Sequence, residues 1–195
     1  NISVIPNYLD DKLWQLKAPQ PRVNSDTPIV IGYMGSTSHE PDLKIITPVL
    51  QKLIDKYPEK VKLHFWGIKP PDGLDLRPQV SWTASVTYNY KNFSEYFQKQ
   101  EADIWVAPIV DNLFNRCKSG IKHLEYTALG APGVYSNLEP YNTIITHEVD
   151  GFLANTEANW LQYLSILIEN DQLRNKIATN AQDTIKSNWL LSKNS

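Results

Sequence analysis

Cysteine occurs once in 195 residues, as Cys117, which excludes a disulfide framework. Methionine is equally scarce: Met34 stands alone, and the chain reads as a segment of a longer protein. Neither sign of charge dominates, with 19 Lys+Arg against 21 Asp+Glu and a net charge of −2. No nucleic-acid partner is expected, because counterion release onto phosphates needs a basic cluster. No apolar run approaches the roughly 18 residues of a membrane span, and the start, Asn1-Ile2-Ser3-Val4-Ile5-Pro6, lacks the blocks of a signal peptide. These absences predict a soluble domain of a reducing compartment. It is expected to be cytoplasmic, with parts outside this segment left to bring it to the cytoplasmic face of a membrane.

Aromatic residues are abundant, with six Trp, ten Tyr and five Phe, and such a surplus suits the lining of a ligand cleft. At this length a chain buries about 70% of its unfolded surface, enough for a full apolar core. Residues 1–28, punctuated by Pro6, Pro19, Pro21 and Pro28, read as an irregular leader, with order expected to begin after Pro28. Ile29-Val30-Ile31, stopped by Gly32, has the pattern of a buried strand. Leu43, Ile46, Leu50, Leu53, Ile54 and Tyr57 then share one helical face; Pro48 predicts a kink, or a later start with Thr47 as cap. Further strands are expected at Val61–Trp66, within Val80–Tyr90, and at Ile104–Ala107, Gly133–Ser136 and Gly151–Ala154. Helices are expected around Phe93–Phe97, over Ser119–Leu129 with Gly130 as its stop, and in the tail. Alternation of this kind forces parallel pairing, so residues 29–195 are expected to form a doubly wound, Rossmann-like α/β sheet with helices on both faces. Such sheets bind ligands beyond the carboxyl ends of the strands, where strand order reverses.

Gly32 and Gly35 flank Tyr33-Met34 and would allow close approach of a diphosphate, although an ordinary tight turn uses the same residues. Neither a third fingerprint glycine nor a Gly-Lys-Ser/Thr triplet follows, so a nicotinamide site and a P-loop are unsupported. Glu125 shares a helical face with Ile121, Ala128 and Leu129. A carboxylate embedded there needs donors, which the hydroxyls of a bound ribose or groups of the protein itself could supply. Arg116, Lys118 and Lys122 crowd the start of the same helix, where cations are locally unfavourable; an external anion or simple solvation would account for them. His39, His64, His123 and His147 form no paired motif and no Asp-x-Asp is present, so no metal is expected. Asp42 reads as a helix-capping acid and Cys117 as a bystander thiol.

Residues Phe114 to Ser136 resemble the nucleotide-binding signature of GT-B glycosyltransferases of the GT4, or group 1, type. Gly32 to Gly35, Ala102 to Pro108 and Asp150-Gly151-Phe152-Leu153 fall around it in the expected order, so the resemblance spans about Ile29 to Ile185. It implies the C-terminal, donor-binding half of a GT-B enzyme, of hexosyltransferase type, that takes a nucleoside-diphosphate sugar without a metal or other cofactor. The N-terminal acceptor half is expected outside this chain, so the fragment is expected to bind nucleotide and transfer sugar poorly. By position the resemblance assigns the ribose hydroxyls to Glu125. It assigns the diphosphate to Gly35, Ser36, Lys118, Ser119, Ile121 and Lys122, and the base to the stretch containing Thr87 and Tyr88. Two positions depart from the pattern. Cys117 stands where the family often has a second glutamate, and Ser36, Thr37 and His39 replace a basic residue after the first strand, leaving Lys118 or Lys122 to supply that charge. An idle nucleotide-binding or scaffold module of the same fold is the alternative reading.

Overall fold

Short, largely apolar runs become parallel strands, joined at one edge of the sheet by the more exposed Val80–Ala84. The computed structural model describes residues 5–22, 27–84 and 89–194. The strands are β1 (Ile29–Gly35), β2 (Val61–Gly67), β3 (Val80–Ala84), β4 (Ile104–Ala107), β5 (Gly133–Ser136) and β6 (Phe152–Ala154), in the order β3-β2-β1-β4-β5-β6. Every pairing is parallel, so each connection must cross over the sheet. The crossovers carry α1 (Glu40–Lys56), α2 (Tyr90–Phe97), the short α3 (Leu113–Arg116) and α4 (Ile121–Ala128); α5 (Glu157–Glu169) and α6 (Asp171–Asn188) follow the last strand. Strand order reverses between β1 and β4, opening a crevice at their carboxyl ends. The sheet is the doubly wound, Rossmann-like one expected, and no helix among the described residues is long and apolar enough to cross a membrane.

Side chains alternate between two cores. Ile104 and Val106 of β4 join α1 and α5 in one, while Trp105 and Ala107 join α2 and α4 in the other. Both faces of each central strand are therefore buried, which explains why the runs read as continuously apolar.

Three local expectations need correction. Strand β1 does not stop at Gly32 but continues to Gly35, and a Cβ at Gly32 would lie 2.6 Å from the Trp105 ring. Glycine is required there by packing, not by a turn. Helix α1 begins at Glu40 and runs through Pro48; Thr47 is no cap, since its hydroxyl donates to the Leu43 carbonyl at 2.9 Å. Residues 5–22 of the expected leader are irregular yet ordered by the core: Leu9 and Trp14 are fully buried. Leu9 exchanges backbone bonds with Trp189 and Leu191 (2.8 and 2.9 Å), and the Lys17 amide donates to the Ala128 carbonyl at 2.8 Å. The Gln182 amide group, from α6, donates to the carbonyls of Thr127 and Lys17, closing this clasp. Gly130 ends α4 with φ +83°, as its position predicts, and a side chain there would collide with the Lys17 carbonyl.

Candidate functional site

Two loops and one helix start meet at the crevice between β1 and β4, and Asp42 joins them. It is buried in the first turn of α1. Its Oδ1 accepts from the Val110 amide (2.8 Å) and from Asn115 Nδ2 (2.9 Å); its Oδ2 lies 2.8 Å from His39 Nδ1 and 3.8 Å from Lys118 Nζ. The expected capping role is thus replaced by a tie between the loops after β1 and β4. Burial pushes the Asp42 carboxyl up, but the His39 bond, the Val110 amide and Lys118 outweigh it and hold it below its ordinary value. For His39 the Asp42 bond pulls upward, while burial, Lys122 and Lys118 leave the ring below the usual histidine range. A neutral ring with its proton on Nδ1 toward Asp42 keeps Nε2 as an acceptor.

Gly120 precedes α4 and no side chain caps that helix; the His123 amide donates to the Gly120 carbonyl at 2.9 Å, which leaves the Ile121 and Lys122 amides for an anion. Lys122 Nζ donates to the Tyr33 hydroxyl at 3.3 Å and sits 4.6 Å from the centre of that ring. Burial lowers its pKa to about 8, against the pull of Asp42 and Glu125. A cavity of about 190 Å³ opens here, lined by His39, Lys118, Ser119, Ile121, Lys122 and Tyr141 among others.

One turn along α4 from Lys122, Glu125 is only 3% exposed. The Tyr90 hydroxyl, at the start of α2, donates to its Oε1 at 3.0 Å, and Trp14 Nε1 donates to Tyr90 at 3.1 Å. Among the described residues Oε2 has no hydrogen-bond partner. Burial raises the carboxyl to about 7, although Tyr90 and Lys122 both act to lower it. The group can therefore change charge near neutrality, and further donors would favour its ionised form.

A family model described as Glycosyl transferases group 1 matches residues 28–170, most of the chain and all of this crevice. The chain belongs to that family. Its fold is shared by the C-terminal domain of a glycosyl transferase group 1 protein, LpcC, from Francisella tularensis. That match has 18% identity and a TM-score of 0.61, and covers 94% of this chain and 99% of the other. WaaG, a glycosyltransferase involved in lipopolysaccharide biosynthesis, superposes with a TM-score of 0.72 at 17% identity, over 97% of this chain and 53% of WaaG. HepE from Anabaena, solved in complex with UDP-glucose, gives 0.67 at 17% identity, over 98% of this chain and 54% of HepE. The chain thus spans about half the length of WaaG and HepE. No curated protein matches it.

On this group 1 domain the residues expected from sequence are only partly brought together. Lys118, Ser119, Ile121 and Lys122 line one cavity. Gly35 and Ser36 lie outside it at the end of β1, where a Cβ on Gly35 would come 2.6 Å from the Tyr33 hydroxyl that Lys122 contacts. Ser36 and Ser38 hydroxyls bond to each other at 2.8 Å, and Ser119 accepts from Asn7 at 2.9 Å. Arg116 does not join the lysines: its guanidinium grips Asp111 at 2.7 and 2.9 Å. Thr87 and Tyr88 lie outside the described residues. Cys117 is exposed beside Lys118.

The remaining histidines are elsewhere. His64 bonds Ser81 and Thr83, His147 accepts from the Leu153 amide, and His123 is buried against the Tyr135 hydroxyl, its pKa lowered to about 3 by burial. Among the described residues no group of three or more His, Cys, Asp or Glu is placed to hold a metal. Sequence reasoning missed Tyr33, Tyr90, Trp14, Asn115 and the tying role of Asp42. For Asp42 a signal existed: it is an acid next to Leu43 on a helix that must face the sheet. Nothing local marks the others.

Proposed function

We propose that this domain binds the nucleoside diphosphate of a nucleotide-sugar donor, as the donor half of a glycosyltransferase of hexosyltransferase type acting on an acceptor held by another domain. One observation carries the reading. A buried carboxylate with one oxygen unoccupied among the described residues stands one helical turn from a lysine-lined cavity at an uncapped helix start. A ribose diol and a diphosphate have that same order of hydroxyls and charge.

In this reading Glu125 accepts the ribose hydroxyls. The Ile121 and Lys122 amides with Ser119, the Gly35–Ser36 backbone, and the side chains of Lys118 and Lys122 meet the phosphates. Positive groups so placed stabilise the leaving diphosphate as the sugar departs, which is electrostatic assistance needing no metal. Lys122 is the stronger contributor, because Lys118 already shares Asp42. The lone thiol supports a cytoplasmic setting.

A second reading rests on Cys117, a thiol at the position where the family often has a glutamate: a module that binds nucleotide without transferring sugar. Both readings require binding. Thermal shift with UDP, GDP, dTDP and NAD tests them together: at a hundredfold excess over Kd, a bound diphosphate adds about 2.7 kcal/mol. NAD should leave the melting curve unmoved, and silence from all three diphosphates removes the reading. Sugar release from a nucleotide sugar, assayed with the acceptor half present, then separates transferase from idle module.

A further inference from the structure

We infer that Tyr90, braced by Trp14, is a positioning residue that aims the Glu125 carboxylate at the ribose. The inference rests on the reading of Glu125 as the ribose-binding group.

The direction of the relay is fixed by chemistry. An indole N–H can only donate, so the Tyr90 oxygen must accept from Trp14. The single phenolic proton is left for Glu125 Oε1, 3.0 Å away. Oε1 is thereby held as an acceptor and the plane of the carboxylate is set. Among the described residues Oε2 is left with both lone pairs, and Oε1 with one, for incoming hydroxyls.

Trp14 is a rigid brace. It is 2% exposed and meets Phe93 and Phe97 edge-on, with ring centres 6.3 and 6.5 Å away, so its N–H cannot turn elsewhere. Tyr90 is different, because 43% of it remains exposed. Core packing alone does not require this ring to lie over Glu125; the two hydrogen bonds hold it there. The three residues come from the leader, α2 and α4, separated by 76 and 35 positions.

The test is calorimetric titration of the 195-residue chain with UDP and 2′-deoxy-UDP, using wild type, Tyr90→Phe, Trp14→Phe, Glu125→Gln and the Tyr90→Phe/Glu125→Gln double variant. Tyr90→Phe should weaken UDP about tenfold, the worth of one hydrogen bond to a charged group. It should also shrink the preference for UDP over its deoxy form. In the Glu125→Gln background the same change should have no further effect.

A pH series gives a readout that simple loss of packing would not move. Removing the Tyr90 donor should shift the acid limb of UDP binding to higher pH. The groups facing Glu125 that set this limb are Lys122 and Tyr126 on its own helix, Tyr90 on α2 and Tyr141 after β5. Wild-type affinity in Tyr90→Phe, with Glu125→Gln weakened, overturns the inference and leaves the ribose reading standing. So does an additive loss in the double variant. UDP binding insensitive to Glu125→Gln, or no binding of UDP by wild type together with silence from GDP and dTDP in the thermal shift, removes the ribose reading and the inference with it. Should Trp14→Phe fail to fold, Tyr90→Phe alone decides, since its ring is half exposed.

Discussion

The two ends of the sheet handle buried charge differently. At the amino end Arg174 donates to the Leu167 and Ile168 carbonyls that finish α5 and to Asp171 at 2.9 Å. Nearby, Arg22 pairs with Asp103 at 3.4 Å. At the carboxyl end Glu125 has one oxygen without a hydrogen-bond partner, and Lys122 meets only a phenol and its ring among the described residues. Volume does not pick out the site: the cavity beside Lys122 is about 190 Å³, against about 710 Å³ for the amino-end cleft and about 1030 Å³ for another lined by Thr37 and Gly67. Charge balance is the better guide: Arg22 and Arg174 already face Asp103 and Asp171, although Arg22 Nη1 makes no hydrogen bond among the described residues, and charges so matched gain little from a ligand.

Substitutions at the two ends should therefore have opposite signatures. Glu125→Gln is expected to cost about a hundredfold in UDP affinity, since two hydrogen bonds to a charged acceptor are lost. The same variant should not lower stability at pH 8, and should raise it. With its folded pKa lifted to about 7, Glu125 keeps a proton that the unfolded chain has already released above about 4.5. Its contribution to stability thus falls as pH rises between those values. Denaturant titration of both proteins at pH 5.5 and 8 checks the sign. Arg174→Ala should do the reverse, lowering stability by roughly 2–3 kcal/mol through orphaned carbonyls, with nucleotide affinity of the folded fraction unchanged.

The smallest effect is on pH. UDP affinity should be greatest between about 7 and 8, bounded below by protonation of Glu125 and above by loss of the Lys122 charge. On the acid side it should fall by up to about tenfold per unit. A profile flat from pH 6 to 9 would erase the contrast between the two ends.

Much of the fold was legible because its signals are short-range. Runs such as Ile104-Trp105-Val106-Ala107, stopped by Pro108, could only be strands buried on both faces, and their alternation with helices required parallel pairing. Gly32 misled because a glycine inside a strand and one ending it look alike until Trp105 is placed beside it. The leader misled for a related reason: Leu9 and Trp14 stand among polar residues with no period, and only the distant Trp189 and Tyr90 reveal why they are buried. The start of α4 was legible as a crowd of cations, but periodicity could not show that Arg116 turns to Asp111. Nor could it show that Tyr90 reaches Glu125 across 35 positions.

The carboxylate of Asp42 has a mechanical consequence. Because it grips a backbone amide and an asparagine from the loop after β4 while sitting on the helix that follows β1, the two lips of the crevice are riveted together. They should breathe in step.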